Sequence, residues 1–333
     1  MTFHKIGIVG GGAWGTALAQ ALALADQDVV LWAFERETVD DINERHVNAT
    51  FLAGVPLDPR LVATAAFADL ADRDLILMVP PAQHLRRIAS DLAPHLAAGT
   101  PAMICAKGIE QSTGKLLGDV LAEALPGAMV GAVSGPSFAA EVARGLPAAL
   151  TVACGDPKLG ERVAQTIGSR QLRAYWTDDL VGVQLGGAIK NVLAIAAGIV
   201  DGRKLGASAH AALVTRGFAE MRRFAGAFGA RPETLTGLSG LGDLLLTCGS
   251  PQSRNMSLGR ALGEGRALDE ILGSRKAVTE GVYTARAVVS IARERGIEVP
   301  ISEAVRGIVD DGLSVDAAIA ALMSRPLRPE AEF

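Results

Sequence analysis

A lysine and an asparagine interrupt an otherwise apolar stretch in the second half of the chain. Lys190 and Asn191 are flanked by Leu185, Ile189 and Val192, and a helical wheel places the lysine beside glycine and alanine rather than on a charged face. An ammonium group is costly to bury without a partner, and burial lowers its pKa towards neutrality. A lysine of that kind can exchange a proton with a hydroxyl group at physiological pH. The alternative is an ammonium group that reaches the solvent along its own apolar stem.

Other polar residues are suited to accompany such a lysine. Asp243 follows a glycine turn, where its carboxylate can orient a lysine by charge and hydrogen bonding. Ser253, Arg254 and Asn255 stand at the start of a helical pattern and match a clamp for a phosphate group. Lys107 follows an apolar run, so it is either a ligand-binding residue at a strand end or a solvated surface lysine.

A glycine-rich segment near the N-terminus predicts a second kind of chemistry. Residues 10–15, GGGAWG, contain the spacing G-x-G-x-x-G directly after an apolar run and at the start of a helical pattern. Gly10 permits a tight turn, Gly12 lets the backbone approach a pyrophosphate, and Gly15 allows close contact between helix and strand. The amide groups of the helix N-terminus then bind the phosphates. This context predicts a dinucleotide-binding site rather than a simple turn.

The residues after the second apolar run bear on the choice between NAD and NADP. Glu35 lies 20 residues after Gly15, where a carboxylate usually binds the ribose 2′-hydroxyl and repels a 2′-phosphate, which favours NAD. Arg36, beside it, can instead pair with that phosphate, so NADP stays open. Phe34 either packs against the adenine or belongs to the hydrophobic core.

Short aliphatic runs alternate with helical patterns in the first half of the chain. The predicted strands are residues 5–9, 29–33, 74–79, 102–106, 129–133 and 150–153. Continuous apolar runs are typical of strands covered on both faces, and the βαβ alternation predicts a doubly wound, mainly parallel sheet. Ligands bind beyond the carboxyl ends of such strands, where residues 134–137 are expected.

The pattern changes near residue 177. Segments rich in alanine and leucine show helical periodicity at residues 182–199, 209–226, 255–263, 283–295 and 315–323. This part of the sequence has no convincing strand pattern. The predicted fold class is therefore α/β. A Rossmann-like dinucleotide-binding domain is expected at 1–180, an all-helical substrate and catalytic domain at 181–326, and a tail at 327–333.

Composition argues against several classes of protein. The 333 residues are 49% hydrophobic and 20% charged, as in a folded protein of two domains, and the net charge of −4 disfavours nucleic-acid binding through a basic field. Three distant cysteines predict reduced thiols, and the scattered histidines predict no metal site. The N-terminus reaches a strand by Lys5 without a signal segment, and Lys190 breaks the longest apolar stretch. A cytoplasmic protein without a membrane span is therefore expected.

Several ordered blocks resemble those of the bacterial NAD(P)-dependent glycerol-3-phosphate dehydrogenases over nearly the whole chain. They are GAWGTAL at 12–18, KGIE at 107–110, SGPSFA at 134–139, GGAIKNV at 186–192, TRG at 215–217, GLSGLGDL at 237–244, SRN at 253–255 and EG at 280–281. The resemblance implies an oxidoreductase that interconverts sn-glycerol 3-phosphate and dihydroxyacetone phosphate and supplies the former for glycerophospholipid synthesis. It also implies a fold similar to that of 6-phosphogluconate dehydrogenase and a cytoplasmic homodimer.

The resemblance further implies a role for each matching residue. Lys190 is expected to accept the proton when glycerol 3-phosphate is oxidised and to donate it in the reverse direction, Asp243 to support the reacting centre, and Lys107 to contact both cofactor and substrate. The expected substrate-binding residues are Lys107, Gly135, Ser137, Lys190, Asn191, Asp243, Ser253, Arg254 and Asn255. Together with Gly10, Gly12, Gly15 and Glu35, the expected cofactor contacts are Ala13, Trp14, Phe34, Lys107, Ala139, Arg254, Val278 and Glu280.

Three positions depart from the family pattern. Phe34 stands where many bacterial members carry a basic residue, which strengthens the preference for NAD. Ser208 and His210 stand where an asparagine and a basic residue are common. Two alternatives stay open: a dehydrogenase for a β-hydroxyacid such as 6-phosphogluconate, which the SRN block disfavours, and a non-catalytic cofactor sensor, which the intact catalytic candidates disfavour.

Overall fold

A computed structural model describes residues 2–273, 278–327 and 329–330 of the chain. These residues form two compact units. The first unit runs from the N-terminus to Ala106 and from Leu117 to Leu180, and the second comprises Lys107–Leu116 and the chain from Val181 onward. Of the tail predicted at 327–333, residues 328 and 331–333 lie outside the described residues.

The first unit is built on a single eight-stranded sheet. Its strands are β1 (Lys5–Val9), β2 (Asp28–Trp32), β3 (Val62–Thr64), β4 (Leu75–Met78), β5 (Pro101–Ile104), β6 (Met129–Ser134), β7 (Ala148–Cys154) and β8 (Leu172–Thr177). The strand order is β3-β2-β1-β4-β5-β6-β7-β8. Strands β1 to β6 are parallel, β7 is antiparallel to β6, and β8 is parallel to β7.

Helices connect most of these strands. They are α1 (Ala13–Leu24), α2 (Arg36–Arg45), α3 (Leu85–Leu92), α4 (Leu117–Ala124), α5 (Ala139–Ala143) and α6 (Pro157–Ile167). Strands β4 and β5 are buried at every position, which explains why their sequences are apolar without alternation. The sheet therefore presents the carboxyl ends of six neighbouring parallel strands, β3, β2, β1, β4, β5 and β6, at one edge.

The predicted fold class and the mainly parallel sheet are confirmed, and all six predicted strands are present. The sequence patterns do not predict β3 and β8. Strand β3 has only three residues, too few to show a period. Strand β8 lies at the end of the sheet and exposes Tyr175 and Trp176, so its pattern differs from that of a buried strand. Nothing local distinguishes the antiparallel direction of β7.

The second unit is helical, as predicted. Its helices are α7 (Leu180–Gly202), α8 (Ala207–Gly226), α9 (Pro232–Thr236), α10 (Asp243–Cys248), α11 (Arg254–Gly263), α12 (Leu268–Gly273), α13 (Glu280–Arg295), α14 (Pro300–Asp310) and α15 (Val315–Met323). The five predicted helical segments correspond to α7, α8, α11, α13 and α15. The sequence predictions do not include the other helices. Most of these are short, and α14 begins at Pro300, a residue that is common at the first position of a helix.

Helix α7 forms much of the core of the second unit. Its buried positions run from Gly182 to Val200, and its alanines and glycines let neighbouring helices approach closely. By length and composition α7 is long and apolar enough to cross a membrane, but the whole of its apolar window is buried inside the protein. The core helix of a folded domain has the same composition.

Paired glycines bring α7 and α11 into direct backbone contact. A Cβ atom added at Gly198 would lie 2.0 Å from the carbonyl oxygen of Met256, and one added at Gly259 would lie 1.9 Å from that of Ile195. Gly202 and Gly263 repeat this contact one turn further along each helix, at 2.2 and 2.6 Å from backbone oxygens. The contact fixes the register between α7, which carries Lys190, and α11, which begins at Arg254.

Candidate functional site

The turn after β1 has the geometry of a phosphate-binding loop. Gly10 has φ +127°, and a Cβ atom on Gly15 would lie 1.9 Å from the carbonyl oxygen of Gly10. The sequence predicts close contact between helix and strand at Gly15. In the structure, Gly15 approaches mainly the backbone of the turn at Gly10. A Cβ atom on Gly12 would meet nothing within 4 Å, so the loop is open beside the start of α1. This open backbone and the amides of α1 fit the pyrophosphate of a dinucleotide.

A buried asparagine that no sequence pattern predicts holds this loop. The Nδ2 group of Asn48 donates to the carbonyl oxygen of Gly11 at 2.9 Å and to Oγ1 of Thr16 at 2.8 Å. Asn48 lies 37 residues from Gly11, so no local spacing indicates the contact. Ala13 and Trp14, at the start of α1, are half-buried. The indole Nε1 of Trp14 has no hydrogen-bond partner among the described residues.

The residues after β2 are exposed beside this loop, at the same edge of the sheet. Phe34 is 68% exposed, so the interpretation of Phe34 as a core residue is wrong. Glu35 and Arg36 are also exposed, and Glu35 precedes the first turn of α2 without capping it through its side chain. An open aromatic face followed by a carboxylate fits an adenosine group, with the carboxylate able to accept from a ribose hydroxyl.

The segment after β6 lies at the same sheet edge. Gly135 is buried with φ +143°, and a Cβ atom there would lie 3.0 Å from the carbonyl oxygen of Ala149. The hydroxyl of Ser137 donates to the carbonyl oxygen of Gly135 at 3.2 Å. Ala139, the first residue of α5, is half-buried. The first unit thus groups the candidates from the glycine turn, from β2 and from β6 along the carboxyl ends of its strands.

The second unit buries Lys190, as the sequence predicts. The residue is 7% exposed, and its ammonium donates to Oδ1 of Asp243 at 2.8 Å and to Oγ1 of Thr247 at 2.7 Å. The alternative of a lysine that reaches the solvent is therefore wrong. Since an ammonium has three donors, one N–H of Lys190 has no partner among the described residues.

Asp243 joins two lysines. Its Oδ2 accepts from Nζ of Lys107 at 2.7 Å, while its Oδ1 accepts from Lys190. Lys107 lies on the segment Lys107–Leu116, which belongs to the second unit. The alternative of a solvated surface lysine is wrong for Lys107, whose side chain is 16% exposed. A single buried carboxylate thus holds two ammonium groups.

Burial and charge shift the pKa values of this cluster. Burial lowers the pKa of Lys190 to about 8, although the negative charge of Asp243 acts in the opposite direction by stabilising the ammonium. Burial alone would raise the pKa of Asp243, but the charges of Lys107 and Lys190 hold it below its ordinary value. Burial also raises the pKa of the Cys248 thiol to about 12, which leaves that group neutral. The cluster thus places two lysine side chains around one buried carboxylate.

Two asparagines form a hydrogen-bonded chain behind the lysines. Nδ2 of Asn191 donates to the backbone oxygens of Lys107, at 3.2 Å, and of Gly187, at 3.4 Å. Oδ1 of Asn191 accepts from Nδ2 of Asn255 at 2.9 Å, and Oδ1 of Asn255 accepts from the amide of Gly281 at 3.0 Å. These contacts tie α7, α11 and α13 to the segment that carries Lys107.

The start of α11 combines a cap with an exposed cation. The buried hydroxyl of Ser253 accepts from the amide of Met256 at 3.2 Å and caps the helix. Arg254 is exposed, and its Nη1 donates to the carbonyl oxygen of Val278 at 3.0 Å. Val278 and Glu280 are half-buried, and Glu280 begins α13. A guanidinium at a helix N-terminus fits an anionic group such as phosphate.

Thr247 is a site residue that is absent from the sequence predictions. Its hydroxyl accepts from Lys190 and donates to Oδ1 of Asp243 at 3.2 Å. Asp243 and Thr247 are four residues apart in α10, so they lie on one helix face. That spacing is a signal that could have identified Thr247.

Comparisons with known proteins show the family of the chain. Residues 5–160 match the family model for the N-terminus of NAD-dependent glycerol-3-phosphate dehydrogenase, and residues 179–320 match the model for its C-terminus. Two curated relatives are named glycerol-3-phosphate dehydrogenase [NAD(P)+]. The one from Parvibaculum lavamentivorans is 57% identical over 99% of both chains, and the one from Caulobacter vibrioides is 57% identical over 99% of this chain and 100% of its own.

A solved structure extends the likeness to three dimensions. The crystal structure of glycerol-3-phosphate dehydrogenase from Coxiella burnetii superimposes with a TM-score of 0.93 at 39% sequence identity, covering 97% of this chain and 99% of that one. The family models span both predicted domains, and the relatives match at full length. The chain belongs to the NAD(P)-dependent glycerol-3-phosphate dehydrogenase family.

Proposed function

We propose that this chain interconverts sn-glycerol 3-phosphate and dihydroxyacetone phosphate, with NAD(P) as hydride carrier. The observation that carries the proposal is the buried Lys190, whose ammonium donates to Asp243 and Thr247. Its third N–H has no hydrogen-bond partner among the described residues and can bind a substrate oxygen. Membership of the family supports the same chemistry. The cofactor, when bound, supplies or accepts the hydride at the carbon that carries the reacting oxygen.

The protein's own part in the reaction is to move one proton. In the reducing direction the Lys190 ammonium donates a proton to the C2 oxygen of dihydroxyacetone phosphate, and the amine then takes a proton from solvent. In the oxidising direction the neutral amine accepts the hydroxyl proton. A pKa of about 8 leaves both forms accessible near neutral pH. Asp243 and Thr247 orient the amine, since each binds Nζ.

The remaining candidates are proposed to bind the two molecules. Arg254 and the start of α11 hold the substrate phosphate, with Ser253 capping that helix and with Gly135, Ser137, Lys107, Asn191 and Asn255 shaping the substrate site. The cofactor is held by Gly10, Gly12, Gly15 and Glu35, together with Ala13, Trp14, Phe34, Ala139, Lys107, Arg254, Val278 and Glu280. The domains assigned to these roles are residues 1–180 and 181–326.

A spectrophotometric assay tests the proposed function. The purified protein is expected to oxidise NADH, or NADPH, when dihydroxyacetone phosphate is added, and to reduce the oxidised cofactor with sn-glycerol 3-phosphate. No change in nicotinamide absorbance despite cofactor binding would support a cofactor sensor. Turnover of 6-phosphogluconate without turnover of dihydroxyacetone phosphate would support a β-hydroxyacid dehydrogenase.

We propose NAD as the preferred cofactor because Glu35 and Phe34 are both exposed after β2. Replacing Glu35 with Gln is expected to lower kcat/KM for NADH by about tenfold or more, since a charge-assisted hydrogen bond is lost, and to lower kcat/KM for NADPH far less. Steady-state kinetics with both cofactors measure the change.

The neighbouring residues provide the controls for Glu35. Glu37 is an exposed carboxylate two positions further along, and Glu37→Gln should leave both values of kcat/KM unchanged. The proposed preference for NAD is wrong if the protein has the higher kcat/KM with NADPH and if Arg36→Gln lowers that value.

The proposal also includes the assembly and the cellular role of the protein. We propose a cytoplasmic homodimer that supplies glycerol 3-phosphate for glycerophospholipid synthesis.

A further inference from the structure

Both lysines of the site bind the carboxylate of Asp243. Lys107 binds Oδ2 of Asp243 at 2.7 Å and Lys190 binds Oδ1 at 2.8 Å. The side chain of Asp243 is only 2% exposed, and those of Lys107 and Lys190 are 16% and 9% exposed. Two like charges are therefore held close together where water screens them poorly.

The charges that act on Lys190 come chiefly from Asp243 and Lys107. Helix α10 contributes Asp243, Thr247 and Cys248, and the thiol is neutral since burial raises its pKa to about 12. The segment Lys107–Leu116 contributes the Lys107 ammonium. Asn255 contributes a neutral amide through Asn191. The cluster therefore carries one net positive charge when both lysines are protonated.

The main chain of Lys107 is fixed relative to Lys190. Asn191, the next residue after Lys190, donates from Nδ2 to the backbone oxygen of Lys107 at 3.2 Å. Asn255 and the amide of Gly281 hold Asn191 in that orientation. The distance between the two lysine backbones is thus set by hydrogen bonds, and the shared carboxylate sets the distance between their side chains.

We propose that Lys107 is a positioning residue that weakens proton binding by Lys190 through the carboxylate they share, in addition to any contact with substrate or cofactor. Two effects act in the same direction. The positive charge of Lys107 repels the positive charge of the Lys190 ammonium. Lys107 also binds Asp243, and this weakens the attraction between that carboxylate and Lys190. The inference rests on the proposed role of Lys190 as the proton-transfer group.

Removing the Lys107 charge should therefore raise the pKa of Lys190. In a Lys107→Gln variant the pKa of Lys190 is expected to rise by about one unit, while Lys107→Arg, which keeps the charge, should leave it close to the wild-type value. The chain has only seven lysines, so selective ¹³C-lysine labelling gives a resolvable set of side-chain resonances. A Lys190→Met variant identifies the Lys190 signal by its loss. NMR titration without substrate then measures the pKa directly.

Kinetics give an independent readout of the same coupling. Reduction needs the ammonium, so its rate falls as pH rises through the pKa of Lys190, whereas oxidation needs the neutral amine and its rate rises. In Lys107→Gln, the pH at which kcat/KM for reduction falls and the pH at which kcat/KM for oxidation rises should both increase by about one unit. A merely structural or substrate-binding role would lower kcat/KM without changing either pH.

The two experiments separate failure of this inference from failure of the proposed function. An unmoved Lys190 titration in Lys107→Gln, in a protein that still binds NADH and keeps the wild-type circular dichroism spectrum, would overturn the inference. A protein that never turns over dihydroxyacetone phosphate would overturn the proposed function, while the NMR titration would still measure the coupling between the lysines.

Discussion

Replacing Lys190 with Met is expected to lower kcat for dihydroxyacetone phosphate reduction by about 10²–10⁴-fold, the usual contribution of a positioned proton donor. Met keeps most of the side-chain volume and removes the charge. Asp243 retains Lys107 as a partner at 2.7 Å, so the variant does not leave an isolated carboxylate buried. The loss should therefore reflect missing proton transfer rather than unfolding.

Cofactor affinity should be nearly unchanged in the same variant. The glycine turn and the exposed Glu35 lie in the first unit, whereas Lys190 lies on α7 in the second. Fluorescence titration with NADH and single-turnover stopped-flow rates measure the two properties separately. Lys158→Met, which removes an exposed lysine on α6, is the matched control and should be as active as the wild type. Turnover within a few-fold of wild type in Lys190→Met would assign the proton to another group.

The sequence predicts the first unit well because its signals are local. Short apolar runs that alternate with helical patterns predict buried strands. The glycine spacing after β1 predicts a turn with an open backbone at Gly12. Strand β3 has no comparable signal over its three residues. The direction of β7 depends on its pairing with β6, which is set by the path of the chain between them.

The site is predictable as a set of residues but not as a network. A lysine inside an apolar helix predicts a buried ammonium, and this holds for Lys190. The sequence does not indicate that Asp243 binds Lys107 as well, because that contact joins residues 136 positions apart. The pairing of Asn191 with Asn255, 64 positions apart, is equally invisible to local spacing. Long-range contacts of this kind depend on how helices pack, which periodicity alone does not determine.

Packing of α7 against α11 leads to the second large prediction. Gly259→Ala is expected to destabilise the protein by about 3 kcal/mol or more, because the new Cβ atom would lie 1.9 Å from the carbonyl oxygen of Ile195. That oxygen belongs to helix backbone, so the clash can be relieved only by moving one helix away from the other. The hydrogen bond between Asn191 and Asn255 joins the same two helices, so activity should fall together with stability.

Thermal unfolding followed by circular dichroism, with kcat/KM measured on the folded variant, tests this expectation. Gly226→Ala is the matched control: Gly226 ends α8, and a Cβ atom there would meet nothing within 4 Å. That variant should be neutral or more stable by about 0.4–1 kcal/mol, since alanine restricts the unfolded chain. If Gly259→Ala were as stable and as active as Gly226→Ala, α7 and α11 would not be in backbone contact. Other contacts would then have to position Lys190 relative to Arg254.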